Sequence, residues 1–272
     1  MCSRWMVAGA MVAGVWLAGA SAYAQTSDAD WLAQCREQRN SQARHCEVRP
    51  INLAWGGMVH VDARPNGGVQ VTGSDQATVV GSARIQVQAE TEAEARGIAA
   101  GIIIDTSTGA LRANGPRTSD GRSWSVSFVL SAPHRTDVQI DAVNGPVAIR
   151  AVSGRIRATT TNGPMSLREL GGDVQVRTTN GPLDIVLGGT SWEGAGLDAE
   201  TQNGPLRISV PDGYSAQLET RTVNGPFSIG IPITIQGDLP VGRTRSINAP
   251  IGSGGAPIRA VTTNGPVTID KR

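Results

Sequence analysis

The tripeptide Asn-Gly-Pro occurs seven times in this 272-residue chain and constrains its fold more than any other feature. The copies begin at Asn114, Asn144, Asn162, Asn180, Asn203, Asn224 and Asn264. Those at residues 144, 162 and 180 are spaced by 18 residues. A fixed period of this size is typical of repeat architectures, in which one short unit stacks on the next.

The residues between these tripeptides alternate between apolar and polar. In segments of nine from residue 144 to residue 188, the chain reads NGPVAIRAV, SGRIRATTT, NGPMSLREL, GGDVQVRTT and NGPLDIVLG. Positions four and six are apolar in every segment, whereas position five is polar in four of the five. Alternation with a period of two predicts strands that bury one face.

Asn-Gly between two strands is also the strongest short-range signal for a β-hairpin, so an antiparallel meander must be considered. The proline argues against a meander, because it has no N–H to close a two-residue hairpin turn. Proline also holds the preceding glycine in an extended conformation. Since asparagine tolerates the left-handed region, we interpret each tripeptide as a corner at which the chain bends and continues.

Two nine-residue sides make one coil of about 18 residues, and successive coils would stack as parallel strands. The sequence therefore predicts an all-β, single-domain parallel β-solenoid, or β-helix, over residues 51–272. Stacking would place Asn144, Asn162 and Asn180 above one another. Their side-chain amides could then form a hydrogen-bonded ladder along one edge.

Three departures from the regular repeat are expected. Thr91 and Glu94 form a capping-box pattern, which predicts a short surface helix near residues 91–101. The spacing lengthens after residue 180, so we expect loops at Gly188–Leu197 and at residues 236–245. The last long gap is expected to hold a coil with a degenerate corner at residues 248–250 (Asn-Ala-Pro).

The first 24 residues have the features of a signal peptide. Arg4 precedes an apolar run, and Ala22-Tyr23-Ala24 forms a small-residue cleavage site. We expect cleavage before Gln25, with a retained transmembrane anchor as the alternative. No second apolar stretch follows, so no integral membrane segment is expected after cleavage.

Cys35 and Cys46 remain after cleavage of the signal peptide. An even pair of cysteines in an exported chain predicts a disulfide, which would tie the N-terminal segment of residues 25–50. A redox or metal-binding role is the alternative, although only His45 lies near them in the sequence.

The net charge of the chain indicates no particular class of binding partner. The chain has 24 Lys and Arg residues against 23 Asp and Glu residues. A balance this close to zero indicates neither a nucleic-acid partner nor an anionic membrane surface.

Threonine-rich strand ends run into the corners at residues 160–167 (TTNGPMSL), 178–185 (TTNGPLDI) and 222–229 (TVNGPFSI), and residues 252–269 read GSGGAPIRAVTTNGPVTI. Over residues 51–272 this pattern resembles the bacterial putative adhesin family, whose members are exported β-solenoid proteins. The family often has an acidic or small residue where this chain has proline. The resemblance implies the same exported architecture and supplies no catalytic residues.

A β-helix can also carry a carbohydrate-active enzyme, either a polysaccharide lyase or a hydrolase, which is the alternative function. Such sites need clustered carboxylates. The candidate carboxylates share no column of the nine-residue frame: Asp141, Asp173, Asp184 and Asp198. The histidines are dispersed and no nucleophile-elbow motif occurs. The sequence therefore assigns no catalytic residue, no metal site and no cofactor.

Position seven of the nine-residue segments carries Arg150, Arg168 and Arg177. Arg150 and Arg168 are one coil apart and would lie about 5 Å from each other. A bound acidic glycan or lipid head group could relieve their repulsion. The alternative is an ordinary solvated face, with Glu169 or Asp184 nearby.

Trp192 lies in the glycine-rich stretch GGTSWEGAG. An exposed tryptophan on a loop could stack on sugar rings. The alternative is that its ring folds back and covers the edge of a coil.

Together these patterns predict an exported binding or structural protein of the cell envelope, located in the periplasm or at the cell surface. The expected partner is a surface glycan or another envelope protein, held along a solenoid face. A further alternative is self-association through an exposed terminal coil, because the end of a solenoid is an unpaired sheet edge. The charged residues Asp270, Lys271 and Arg272 would oppose it.

Overall fold

The computed structural model describes residues 27–37, 42–54, 56–107, 109–231 and 246–272. The expected signal peptide (residues 1–24) and the expected loop at residues 236–245 lie outside the described residues. The described residues form two helices, α1 (Asp28–Glu37) and α2 (Glu92–Ala100), and twenty strands. No described helix has the length and apolar character that crossing a membrane requires.

The strands are short and follow one another closely along the chain. In chain order they are β1 (Ala43–Leu53), β2 (Met58–Asp62), β3 (Val69–Ser74), β4 (Val79–Ala89), β5 (Ile103–Asp105), β6 (Leu111–Asn114), β7 (Ser123–Pro133), β8 (Asp137–Asp141), β9 (Val147–Arg150), β10 (Ser153–Asn162), β11 (Met165–Arg168), β12 (Gly171–Asn180), β13 (Leu183–Val186), β14 (Gly196–Asn203), β15 (Leu206–Val210), β16 (Ala216–Asn224), β17 (Phe227–Ile229), β18 (Ser246–Ile251), β19 (Pro257–Asn264) and β20 (Val267–Lys271).

These strands form two ten-stranded mixed sheets. Sheet 1 has the spatial order β1-β4-β7-β3-β9-β11-β13-β15-β20-β17, and sheet 2 has the order β18-β16-β19-β14-β12-β10-β8-β2-β6-β5. Apolar side chains from both sheets belong to one hydrophobic core. The expectation of an all-β protein is confirmed, with two large mixed sheets and two helices.

Six of the Asn-Gly-Pro tripeptides carry the chain from a strand of sheet 2 into a strand of sheet 1, and we call these the NGP corners. The strands on either side of a corner do not pair with each other; each pairs with a parallel neighbour in its own sheet. Met165, for example, pairs with Val147 on one side and with Leu183 on the other, 18 residues away in each direction. The antiparallel meander is therefore wrong for this region.

Proline costs the sheet no hydrogen bond at a corner. The Gly163 N–H donates to the Asn180 carbonyl oxygen at 3.0 Å, and the Met165 N–H donates to the Pro182 carbonyl oxygen at 2.9 Å. Pro164 lies between these two donors, at the position where the ladder needs no N–H. The corner thus continues the parallel hydrogen-bonding pattern from one sheet into the next.

The predicted asparagine ladder exists and is longer than expected. In spatial order it contains Asn66, Asn144, Asn162, Asn180, Asn203, Asn264 and Asn224, and we call these residues the Asn ladder. The Nδ2 of each member donates to the Oδ1 of the preceding member, with distances of 2.7 to 2.9 Å. Stacked carboxamides of this kind bind parallel strands in register.

A second set of side chains, on the core side of the Asn ladder, also links neighbouring corners. Buried threonines, two residues before their own corner, donate from Oγ1 to the glycine carbonyl of the neighbouring corner at 2.8 to 3.3 Å: Thr160, Thr178, Thr201, Thr222 and Thr262. The corners stack so closely that a Cβ on Gly181 would lie 2.1 Å from the Gly163 carbonyl oxygen. Close stacking is therefore what requires glycine there.

One expectation about the corners is wrong. The asparagines do not adopt the left-handed region, because the described non-glycine residues with positive φ are Asp120, Ala151 and Glu169. The tripeptide at Asn114 stands apart from the NGP corners, since it begins at the end of β6, which lies beside β2 and β5 near the end of sheet 2.

The expected degenerate corner at residues 248–250 is also wrong. These residues lie inside β18, an edge strand that pairs antiparallel with β16. Ile247, Ala249 and Ile251 are buried, so alternation makes this segment a strand, and an edge strand tolerates Pro250. The order of the units changes as well, because β19 and β20 lie between β14–β15 and β16–β17.

The N-terminal region packs against one end of the sheets. Cys35 and Cys46 form the predicted disulfide, with Cα atoms 6.3 Å apart, which joins α1 to β1. Strand β1 crosses residues 50 and 51, where the expected boundary of the repeat lies. Helix α2 begins after Thr91, whose side chain accepts a hydrogen bond from the Glu94 N–H.

We expect Gly181→Ala to lower the free energy of unfolding by more than about 2 kcal/mol, because the new methyl group meets a backbone oxygen that cannot move away. The matched change Gly97→Ala adds a methyl group in open space on α2. It is expected to raise the free energy of unfolding by up to about 1 kcal/mol. Urea denaturation measures both; equal effects would contradict the close stacking of the corners.

Thr220 provides a second test. Its hydroxyl is fully buried and has no hydrogen-bond partner among the described residues. Thr220→Val is therefore expected to raise the free energy of unfolding by about 1 kcal/mol. The control Thr222→Val breaks the 2.8 Å bond to the Gly265 carbonyl and should lower stability by a similar amount. Thermal unfolding that shifts in the same direction for both variants would refute this assignment.

Candidate binding groove

A groove of about 1100 Å³ runs along the edge opposite the Asn ladder. At this edge the strands of sheet 1 lead back into the strands of sheet 2. Four successive corners line it, together with two single residues: His134–Asp137, Ala151–Gly154, Glu169–Gly171, residues 188–191 with Glu193, Gly57 and Arg272. Neighbouring strands are about 4.8 Å apart, so the four corners span about 15 Å.

The floor of the groove is made by tight backbone bends. Ala151 and Glu169 hold equivalent positions in neighbouring corners, with φ of 54° and 55°. Their N–H groups donate to the carbonyl oxygens of Arg168 and Val186, both at 2.9 Å. Non-glycine residues in the left-handed region cost free energy and often occur at functional sites. The parallel ladder stabilises both bends here.

One wall is the insertion that the sequence predicts at Gly188–Leu197. Trp192 anchors this wall, because its indole N–H donates to the Gly172 carbonyl oxygen at 3.0 Å. Its ring lines a small interior void with Leu167 and Leu197 and is only 7% exposed. The expectation of an exposed Trp192 is therefore wrong, since the ring gains more from burial than from solvent. The alternative, in which the ring folds back, describes the structure.

Charged groups of both signs line the groove. The Glu169 carboxylate accepts a hydrogen bond from the Arg272 guanidinium at 3.0 Å and lies 3.8 Å from the Arg150 guanidinium. The Asp137 carboxylate accepts the Arg155 N–H at 2.7 Å. These contacts fix the carboxylates of two corners.

His134 has a defined tautomer in the groove. Its Nδ1 lies 2.7 Å from the Ala151 carbonyl oxygen, which can only accept, so Nδ1 carries a proton. Its Nε2 is 3.6 Å from the carboxylate of Asp75. With the proton on Nδ1, the Nε2 atom of the neutral ring is a hydrogen-bond acceptor.

The three arginines expected to bind a ligand do not form one site. Arg150 and Arg168 are paired in register on sheet 1, whereas Arg177 lies on sheet 2. The Arg168 guanidinium is 2.9 Å from the Asp184 carboxylate. Arg177 lies 3.9 Å from the carboxylates of two acidic residues, Asp198 and Glu200. These contacts favour the alternative of a solvated, ion-paired face.

The outer face of sheet 2 neutralises its own charges in the same way. Arg157 donates to the Asp173 carboxylate at 2.7 Å, and this hydrogen bond lowers the pKa of that carboxyl below its ordinary value. Arg259 lies between the carboxylates of Asp198 and Glu219. A face whose charges are paired across strands attracts neither anions nor cations strongly. The groove is therefore the better candidate site.

Sequence reasoning missed the groove and most of its residues. His134 and Asp137 lie at the connection from β7 to β8, Glu193 lies in the connection from β13 to β14, and no spacing marks them as neighbours. The two nine-residue sides of each predicted coil did imply a second line of corners. Within the described residues, no group of three or more His, Cys, Asp or Glu side chains could hold a metal ion.

No family model matches this chain, and no curated protein matches it. Among solved structures, it is similar to a putative cell adhesion protein from Clostridium sporogenes, with 9% identity and a TM-score of 0.41 over 84% of this chain and 100% of the other. It is similar to a putative adhesin from Bacteroides fragilis, with 14% identity and a TM-score of 0.31 over 83% and 97%. It is also similar to a putative lipid binding protein from Parabacteroides distasonis, with 9% identity and a TM-score of 0.26 over 84% and 96%. Similarities this weak carry no argument about ligand or activity.

Trp192→Phe tests how the wall is held. The variant loses the indole N–H bond to Gly172, worth about 1 kcal/mol, so amide hydrogen exchange should become faster over residues 188–196. The matched control is Trp124→Phe, which loses a 2.8 Å indole bond to the Pro116 carbonyl away from the groove. In Trp124→Phe, amide hydrogen exchange over residues 188–196 should stay unchanged. Faster exchange there in both variants would show that the indole bond of Trp192 is not what holds the wall.

Proposed function

We propose that this protein is an exported binding protein of the cell envelope, which holds an extended surface polymer or a segment of an envelope protein in the groove. The observation that carries this proposal is the open groove across four successive corners. A site about 15 Å long and open at its side fits a chain-like ligand better than a compact one.

We further propose that the parallel strands of residues 51–272 form a β-solenoid with coils of about 18 residues, to which β1, β4, β5 and β18 add antiparallel strands near the ends of the two sheets. The 18-residue register between parallel strands and the continuous Asn ladder support this architecture. Stacked, mutually bonded corners would make a stiff scaffold, and a binding site on a stiff scaffold loses little entropy when it binds.

Export is supported by two independent features. The Cys35–Cys46 disulfide is of the kind that persists in oxidising compartments. Residues 1–24 have the sequence of a signal peptide. Membership in the bacterial putative adhesin family rests on the threonine-rich corner sequences and belongs to the same proposal.

The lining of the groove indicates how a ligand would be held. None of its described lining residues is a tryptophan, tyrosine or phenylalanine, so the large aromatic rings on which sugars usually stack are absent from the described groove. Hydroxyl groups of Ser153, Thr190 and Ser191 and the carboxylate of Glu193 are available instead. We therefore expect hydrogen bonds and single ion pairs to dominate binding.

A carbohydrate-active enzyme is the second candidate, because carboxylates of three connections line the same groove: Asp137, Glu169 and Glu193. Glycoside hydrolysis needs two carboxyl groups that flank the bond to be cleaved. The Arg272 guanidinium is hydrogen-bonded to the Glu169 carboxylate, so a reacting sugar would have to displace Arg272 before it could contact that carboxylate.

Binding should be measured with the purified protein on arrays of neutral and acidic glycans and of extended peptides. We expect Ser191→Trp, which fills the groove from its wall, to weaken binding of the selected polymer at least tenfold, or by about 1.4 kcal/mol. The matched control Gln175→Trp adds the same ring to the exposed face of sheet 2 and should bind like the unmodified protein.

The opposite pattern, with binding lost only in Gln175→Trp, would place the site on the sheet face. Binding to no polymer on either array would refute the proposed function. Release of shortened products from a bound glycan would favour the enzyme. A mass in solution that rises with protein concentration would favour self-association.

A further inference from the structure

Asn-Gly sequences are chemically reactive, and this chain contains eight of them, at Asn66 and at the seven tripeptides. The backbone nitrogen of the glycine attacks the side-chain carbonyl carbon of the asparagine. A new C–N bond forms, the side-chain nitrogen leaves as ammonia and a cyclic succinimide results. Solvent water then opens the ring to aspartate or isoaspartate. Glycine favours the attack because no side chain shields its nitrogen.

The structure restrains the attacking group at six of the eight sites. There the glycine N–H donates to the backbone carbonyl oxygen of the asparagine in the neighbouring corner at 2.9 to 3.0 Å: Gly67, Gly145, Gly163, Gly181, Gly204 and Gly265. The asparagine carboxamides of these sites are members of the Asn ladder, so both reacting groups are held. Attack requires the corner to open first, and that opening costs free energy.

Two sites lack this restraint. The N–H groups of Gly115 and Gly225 have no acceptor among the described residues. Asn114 is outside the Asn ladder. Asn224 is its last member: its Nδ2 donates to Asn264, but no further ladder asparagine donates to its own Oδ1.

We propose that Asn114 and Asn224 are sites of spontaneous deamidation in the folded protein, and that the six restrained asparagines are protected. The contrast between Asn224 and Asn264 is especially informative, because their local sequences are nearly the same: TVNGP and TTNGP. Their intrinsic rates in an unfolded chain should therefore be similar. A difference in the folded protein then reports on the corner and not on the sequence.

Deamidation at Asn224 would weaken the end of the ladder. The Asn224 Nδ2 donates to the Asn264 Oδ1 at 2.8 Å. A carboxylate has no proton to donate and would set a negative charge against that oxygen. An isoaspartate would also lengthen the backbone by one atom in a strand whose register depends on its length. At Asn114 the same reaction would add a charge without touching the ladder.

The full chain should be incubated folded in mildly alkaline buffer, and each asparagine should be followed by peptide mapping and mass spectrometry. We expect conversion at Asn224 to be at least tenfold faster than at Asn264, a ratio that corresponds to about 1.4 kcal/mol of local opening. Asn114 should convert at a rate comparable to that of Asn224. In urea, where the corners are unfolded, Asn224 and Asn264 should convert at similar rates.

Equal rates at Asn224 and Asn264 in the folded protein would overturn the proposal, and so would rapid conversion at Asn162 or Asn180. The structural consequence has its own readout. Asn224→Asp should speed amide hydrogen exchange in β17, whereas Asn114→Asp, with the same change of charge, should leave β17 unchanged. An unaltered β17 in Asn224→Asp would show that the last rung does not hold the end of the ladder.

Discussion

The fold depends on how closely successive NGP corners can stack. Each corner brings the glycine of one unit against the carbonyl oxygen of the next, so closely that no Cβ fits between them. That contact allows three sets of bonds to form at once: the backbone ladder, the side-chain Asn ladder and the buried threonine bonds. Because the sets share the same spacing, each holds the register that the others need.

The fixed register at the NGP corners affects the opposite edge of the two sheets, where the return connections lie. With the register fixed at the NGP corners, the return connections can vary in length and can hold left-handed residues such as Ala151 and Glu169. The insertion around Trp192 is accommodated there, and its ring fills the interior while its neighbours Ser191 and Glu193 line the groove. Regularity on one side thus supports a groove on the other. The same locking explains why asparagine, a reactive residue before glycine, can be used repeatedly along one line.

The parts of the fold that follow from local chemistry could be predicted. Alternation in the nine-residue segments indicated the strands, and the missing N–H of proline excluded the hairpin. Cysteine count indicated the disulfide. Helix α1 was missed, although a serine, Ser27, directly precedes it in the sequence, and serine is a preferred N-cap residue. In the structure the Ser27 hydroxyl oxygen accepts a hydrogen bond from the Asp30 N–H. The groove was missed because its four corners differ in length and sequence, so the repeat does not show which of their polar side chains line one opening.

By itself, the sequence determined the strands of residues 144–188, the direction of the chain at their corners and the contacts between Asn144, Asn162 and Asn180, because these depend on residues close together or one period apart. Only the tertiary structure decided that β19 and β20 lie inside the stack, beside β14 and β15. Strand pairs that are joined by the same Asn-Gly-Pro corner can stack on any other such pair. The repeat sequence therefore does not specify the spatial order of the pairs. It also decided that Trp192 is buried and that Arg177 faces away from Arg150 and Arg168. The burial of Trp192 and the position of Arg177 depend on which surfaces pack against each other in the folded chain, and the spacing of residues in the sequence does not indicate this.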